Sequence, residues 1–163
     1  PLKDPSHKPH FRMAALSSAV TSRATSAAGF DDDDRALVLQ QMRVWLRFFT
    51  VANVPRMKAL RLGIGDTRLP DPRIADLVTA QLIEPLRAEF PHVTVFLDVE
   101  RTRAKRYYRG PMIDLFVERD DGLRVNIGDG GATSWLQDCV GQKRERFVAS
   151  GIGAELIARL FLR

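Results

Sequence analysis

Three short stretches carry the residues of this chain best suited to chemistry on a small polar molecule. They are Arg103-Ala104-Lys105-Arg106-Tyr107-Tyr108-Arg109-Gly110, then Gly130-Gly131, then Gly151-Ile152-Gly153-Ala154-Glu155. An arginine holds a carboxylate or phosphate through a planar, two-pronged contact that lysine cannot copy, and Arg103 is the candidate for that role. Tyr107 and Tyr108 offer apolar ring faces with phenolic hydroxyls, suited to a planar ligand with polar edges. Gly130-Gly131 permits close backbone approach, and Gly151-Ile152-Gly153 ahead of a terminal helix can turn backbone amides toward an anion. Each feature also has a plainer explanation. One tyrosine packs in the core, Arg101, Lys105, Arg106 and Arg109 are merely solvated, and the glycines serve turns and tight strand-to-helix packing.

The elements that must position these residues follow from periodicity. Asp31 to Asp34 precede Arg35-Ala36-Leu37 and suit a helix start, where carboxylates favour the positive end of the dipole. Leu37, Val38, Met42, Trp45, Leu46 and Phe49 then recur at helical spacing, which predicts a helix to about Phe49 with a core face. Asn53 to Pro72 holds Pro55, Gly63, Gly65, Pro70 and Pro72 and reads as a connector with a short strand or turn. A second amphipathic helix is expected from Pro72, with Ile74, Leu77, Val78, Leu82, Ile83 and Leu86 on one stripe, ending at Phe90-Pro91. Strands follow at Val93–Val99 and Met112–Val117, and Asp120-Asp121-Gly122 turns the latter into a hairpin with Leu123–Ile127. A short helix at Ser134–Val140, a strand at Phe147–Ser150 and a helix at Gly153–Leu162 close the chain. Helices ahead of a run of strands point to an α+β fold, an antiparallel sheet flanked by helices. On one face of that sheet the arginine, both tyrosines and both glycine pairs are expected to converge.

Composition sets the outer limits. With 163 residues, 45% of them hydrophobic, one globular core is expected. The net charge of +5 permits nucleic-acid or phosphate partners without demanding them. No run approaches the roughly twenty apolar residues of a membrane span, so no membrane partner is expected. The lone Cys139, beside Trp135, Leu136 and Val140, reads as a packed thiol and favours a reducing, cytoplasmic compartment. An organelle is the alternative, because Met13 to Ala28 is rich in Ala, Ser and Thr and lacks acids, like a transit peptide. Residues 1–12, with His7 and His10, read as a flexible arm, and two histidines without further ligands do not make a metal site. Pro1 in place of Met suggests a chain that begins inside a longer reading frame or has been processed.

From Ile74 to Leu160 the order and spacing of these features resemble the C-terminal part of a class II aminoacyl-tRNA synthetase catalytic domain, specifically the histidyl-tRNA synthetase family. Arg103-Ala104-Lys105-Arg106-Tyr107-Tyr108 resembles that family's histidine-binding peptide, Arg-Gly-Leu-Asp-Tyr-Tyr. Gly130-Gly131 resembles the start of its Gly-Gly-Arg-Tyr-Asp segment, and Gly153-Ala154-Glu155-Leu156 its third class-defining motif, Gly-Leu-Glu-Arg. Gly29-Phe30 to Arg35-Ala36-Leu37 is similar to the helical insertion ahead of the histidine-binding peptide. The resemblance implies three segments: an N-terminal arm at 1–30, an insertion-like segment and connector at 31–72, and a class II synthetase-like sheet with flanking helices at 73–163. It implies that Arg103 contacts an amino-acid carboxylate and stabilises charge during adenylate formation. Arg103, Tyr107, Tyr108, Asp114, Gly130 and Gly131 would bind substrate, Asp114 matching a family glutamate. Gly151, Gly153, Glu155 and Arg159 would face a nucleotide.

Departures from the family pattern bear on activity. Leu156 stands where the motif-three arginine contacts ATP phosphates, Ala132-Thr133-Ser134 replaces Arg-Tyr-Asp, and Arg106 replaces an aspartate. Nothing resembles the first two class-defining motifs, so a complete synthetase is not expected. The leading expectation is therefore a catalytically reduced relative that binds an amino acid or similar small polar ligand. It would serve as a regulatory or interaction subunit, as the similar regulatory subunit of short-form ATP phosphoribosyltransferase does, in a homo- or hetero-oligomer such as a dimer. The alternative is part of an ATP- and Mg2+-dependent ligase that activates an amino acid or other carboxylic acid, completed by a missing segment or a second chain. A third option is tRNA or RNA binding through Arg101, Arg103, Lys105, Arg106, Arg109, Lys143, Arg144 and Arg146, with a steep salt dependence.

Overall fold

The computed structural model of the chain describes residues 12–23, 32–101 and 106–161. Its strands are β1 (Ala14–Thr21), β2 (Met57–Asp66), β3 (Thr94–Leu97), β4 (Pro111–Arg119), β5 (Arg124–Thr133) and β6 (Glu145–Ile152). Its helices are α1 (Asp32–Ala52), α2 (Pro72–Val78), α3 (Glu84–Glu89), α4 (Trp135–Val140) and α5 (Ala154–Phe161). The strands form one six-stranded sheet in the order β1-β6-β5-β4-β2-β3. All neighbours are antiparallel except β2 and β3, which run parallel. The expected α+β architecture, a largely antiparallel sheet flanked by helices, is the one observed.

One face of the sheet is closed by helices. On β4, Ile113, Leu115 and Val117 point into a core shared with Val38, Met42, Trp45, Leu46 and Phe49 of α1. α1 begins with Asp32, Asp33 and Asp34 in its first turn, as the dipole argument expects. It is pinned to the sheet by hydrogen bonds as well as by burial. Trp45 Nε1 donates to Ser150 Oγ at 2.8 Å, Ser150 Oγ donates to Gln41 Oε1 at 2.6 Å, and Gln41 Nε2 donates to the Val148 carbonyl at 2.9 Å. Across the helical layer, Glu89 of α3 accepts from Arg43 and Arg47 of α1. α5 lays Ile157 and Phe161 into the same core.

Four local expectations differ from the structure. The second helix is interrupted by a π segment at Thr79–Ile83 between α2 and α3. Pro85 follows it, and a proline supplies no N–H to the preceding turn and crowds its carbonyl, so the helix widens there. The Asn53–Pro72 connector contains β2, a central strand of ten residues. Its glycines read as breakers, but they make room: a Cβ on Gly65 would lie 2.9 Å from the Asp98 carbonyl oxygen. The segment expected as an arm contributes β1, which pairs with β6 from Ala14 to Thr21, so its small residues serve a sheet edge. Cys139 is exposed, not packed, because α4 is six residues long and buries none of them.

Among the described residues no helix is long and apolar enough to cross a membrane.

Candidate functional site

The second face of the sheet carries the chemistry. Directly paired residues of antiparallel strands share a face, so the register defines two rows across it. One row runs Gly63, Asp114, Asp129, Gly151 and Ala15 from β2 to β1; the next runs Gly65, Met112, Gly131, Ala149 and Ser17. The result is a trough floored mainly by glycine, alanine and serine, with Met112 in the second row and two aspartates side by side in the first. Gly131 itself has no room for a side chain: a Cβ there would sit 2.6 Å from the Pro111 carbonyl and 2.8 Å from Tyr108 Cδ1.

Asp129 reaches this face because of a bulge. The β4/β5 register shifts between Leu115 and Phe116, which places Gly128 opposite Leu115 and Asp129 opposite Asp114. Without the extra residue in β5, Gly128 would oppose Asp114 and Asp129 would turn to the helical side. Asn126 holds the irregularity: its Oδ1 accepts the Gly128 N–H at 3.1 Å, and its Nδ2 donates to Asp114 Oδ1 at 2.8 Å.

Over the two aspartates lies Arg101, 5% exposed. Its Nε is 3.1 Å from Asp114 Oδ2, and its Nη2 reaches Asp129 Oδ2 only at 3.5 Å. The guanidinium lies 5.4 Å from the centre of the Tyr108 ring, close enough for a cation–π contact. Tyr108, itself buried, donates its hydroxyl to Asp129 Oδ2 at 3.1 Å. Burial, and then the charge of Asp129, pushes the Tyr108 phenol well above its ordinary value, so it stays a proton donor at neutral pH. Arg101 is nonetheless poorly satisfied: Nε and Nη1 are buried without a hydrogen-bond partner, the Nε–H being misaligned with Asp114. Asp129, 47% exposed, keeps Oδ1 free of hydrogen bonds among the described residues. Asp98, following β3, adds a third carboxylate, its Oδ2 3.3 Å from where a Cβ on Gly63 would stand.

The residues expected from the sequence are placed as follows. Arg103 and Lys105 lie outside the described residues. Tyr108 and Asp114 share the Arg101 cluster, whereas Tyr107 is 60% exposed and meets Tyr108 edge-on at 5.1 Å. Gly130 and Gly131 do not converge. Strand alternation puts Gly131 on the trough and Gly130 on the helical side, where a Cβ would come within 2.4 Å of Ser150 Cβ. Gly151 and Gly153 divide likewise. Gly151 floors the trough, while the Gly153 N–H is committed to the Ile127 carbonyl at 2.8 Å. The Glu155 N–H is committed to the Arg12 carbonyl at 3.3 Å, so these amides do not face an anion. Glu155 and Arg159 lie one turn apart on α5.

Arg101, offered either as solvated or as part of a basic RNA-binding cluster, is buried, and Asp129 was not singled out at all. The only advance signal for Asp129 is its place beside Gly130-Gly131, since the bulge that aims it leaves no mark in the local sequence pattern. Among the described residues no three His, Cys, Asp or Glu side chains are grouped to hold a metal ion.

No protein-family model and no curated protein matches the chain. Solved structures do. Apo histidyl-tRNA synthetase from S. aureus superimposes with a TM-score of 0.61 at 14% identity, covering 91% of this chain and 39% of that one. A chain of the ATP phosphoribosyl transferase (HisG:HisZ) complex from Thermotoga maritima gives a TM-score of 0.51 at 12% identity, covering 87% of this chain and 65% of that one. Identities this low show a shared fold, that of histidyl-tRNA synthetase-like domains, and this chain spans 39% and 65% of those two neighbours.

Proposed function

We propose that the chain is a divergent histidyl-tRNA synthetase-like domain that binds an amino acid or similar small polar ligand in the trough. In this reading it acts as a non-catalytic regulatory or interaction subunit. The observation that carries the proposal is the buried, under-bonded Arg101 between Asp114 and Asp129, stacked on Tyr108 above a floor of glycines. A buried guanidinium with nitrogens that make no hydrogen bond is costly, and its retention beside the half-exposed Asp129 supports a role for this cluster in binding. Arg103 is proposed as a further contact to a ligand carboxylate. The absence of catalysis is argued from Leu156, which stands where the family carries its phosphate-contacting arginine and packs against the apolar core. An aliphatic side chain cannot stabilise a developing phosphate charge. Membership of a larger assembly is supported by the fold shared with a chain of the HisG:HisZ complex.

The test pairs thermal stability with turnover. A ligand that prefers the folded state raises the melting temperature. Histidine, or another amino acid of a full screen, is expected to raise it, and Arg103→Ala to abolish the rise. ATP with Mg2+ is expected to add nothing, and ATP–pyrophosphate exchange to be absent. Exchange activity in the intact protein would instead support a ligase completed by another segment or chain. Silence across the whole screen would remove the ligand-binding reading.

A further inference from the structure

Resting on that reading of the trough as a ligand site, we propose that Met13 is the rim residue that limits its ligands to the size of a single amino acid. The sides of the trough around the Arg101 cluster are the first ground. Toward β3, Phe96 and Asp98 lie over Gly63, with Phe96 Cζ 3.1 Å and Asp98 Oδ2 3.3 Å from where a Cβ on that glycine would stand. Phe96 is itself backed by Arg61, whose guanidinium lies 5.1 Å from the ring centre. Along the strands, Tyr108 covers Gly131. Toward β1 the floor continues through Gly151 and Ala15, and there Met13 lies over it, its Cε 2.8 Å from where a Cβ on Gly151 would stand. Gly151 is the direct strand partner of Asp129, so Met13 overlies the floor position next to the half-exposed member of the cluster.

Distance is the second ground. Neighbouring strands lie about 4.8 Å apart, so the floor beneath Met13 is one strand spacing from Asp129. Extending a ligand by one residue adds up to about 3.6 Å, which takes up most of that spacing. A free amino acid held at the cluster stops short of Met13, and the same residue extended by one glycine toward β1 meets it. Any other side chain over the floor would shorten this reach and not lengthen it. Mobility is the third ground. Tyr108 is buried and bonded to Asp129, and Phe96 is stacked, but Met13 is 54% exposed beside the edge strand of the sheet. Methionine is unbranched with three rotatable bonds, so trimming it here opens the rim without emptying a packed core. Its main chain is anchored on both sides: the Arg12 carbonyl accepts the Glu155 N–H at 3.3 Å, and β1 begins at Ala14. Met13 is a specificity-determining residue in this account, and the chain's entry into β1 sets it over Gly151.

The experiment titrates the full chain with the twenty amino acids and with the two glycine dipeptides of each, glycine being joined to its amino or to its carboxyl end. Thermal shift finds the responding amino acid, and calorimetry compares it with its own dipeptides, which keep both an amine and a carboxylate. In the parent both dipeptides are expected to bind at least tenfold more weakly than the free amino acid. In Met13→Ala one of them is expected to gain at least fivefold, while the free amino acid changes less than twofold and the melting temperature of the free protein is unchanged. Met13→Leu, which keeps the bulk, is expected to behave as the parent. Met13→Thr, shorter and suited to a strand, carries the same expectation as the alanine variant should that one unfold. Dipeptides that bind the parent as tightly as the free amino acid, or instead of it, overturn the size limit and leave the ligand-site reading intact. So does a shortened Met13 that leaves both dipeptides as weak as before, or a Met13→Leu variant that admits them. No binding by any amino acid or dipeptide overturns both.

Discussion

The two faces of the sheet are built from the same strands and obey different rules. On β4, Ile113, Leu115 and Val117 enter a closed apolar core, while Met112, Asp114 and Phe116 alternate with them onto the trough. Polar groups on the helical side are few and satisfied, as in the chain of bonds linking Trp45, Ser150 and Gln41. On the trough, Arg101 is equally buried yet lacks partners for two of its nitrogens. The apolar face supplies the stability that lets the other face hold an unfavourable arrangement of charge. This division is what a scaffold carrying a binding site requires.

The sharpest way to break the comparison is to unpair the trough. Asp114→Ala leaves the Arg101 guanidinium buried beside a partly exposed Asp129, and such a loss is expected to cost about 3–5 kcal/mol. Chemical denaturation of the variant checks it. If the cost comes from a stranded charge and not from lost packing, the double variant Arg101→Met/Asp114→Leu recovers most of it, since apolar replacements of a buried pair are often neutral. A double variant as unstable as the single one would mean that the pair supports the fold itself. On the helical side, Gln41→Leu removes the acceptor of the buried Ser150 hydroxyl and the side-chain donor to the Val148 carbonyl, and about 1–3 kcal/mol is expected. That loss should appear without any change in ligand affinity, because the bonds it breaks lie beneath the sheet.

Most of the fold was legible because it rests on periodicity. The helical spacing from Val38 to Phe49 states which side of α1 is buried, and the apolar run Met112–Val117 marks a strand buried on both faces over most of its length. Elements whose residues serve the open face were less legible. β2 was obscured by Gly63 and Gly65, whose function is to let Phe96 and Asp98 approach, and β1 by small residues that look like a targeting segment. The site was half visible. Tyr108 and Gly131 are read from the residues and Asp114 from the family resemblance, but adjacent glycines on a strand cannot share a face, so Gly130 and Gly131 are not brought together. Arg101 and Asp129 depend on long-range packing and on one inserted residue, which a local pattern does not encode.

The weakest effect belongs to the surface, and it sharpens the contrast because it too is an arginine–carboxylate contact. Glu89 accepts from Arg43 Nε at 2.6 Å and from Arg47 Nη2 at 2.8 Å, tying α3 to α1. Its carboxyl is held below the usual glutamate range, chiefly by the hydrogen bond from Arg43. A carboxylate whose folded pKa is depressed stabilises the protein above its unfolded pKa of about 4.3, and that contribution disappears as pH falls through the folded value. The arginines are well exposed, at 40% and 68%, so solvent and salt screen the link. Glu89→Gln is therefore expected to cost less than about 1 kcal/mol at neutral pH. The difference from the parent should shrink with added salt and vanish in acid below both pKa values. A Glu89→Gln loss that matched Asp114→Ala, or that persisted unchanged in acid, would mean that the helical layer also depends on charge and that the two faces are less different than their burial implies.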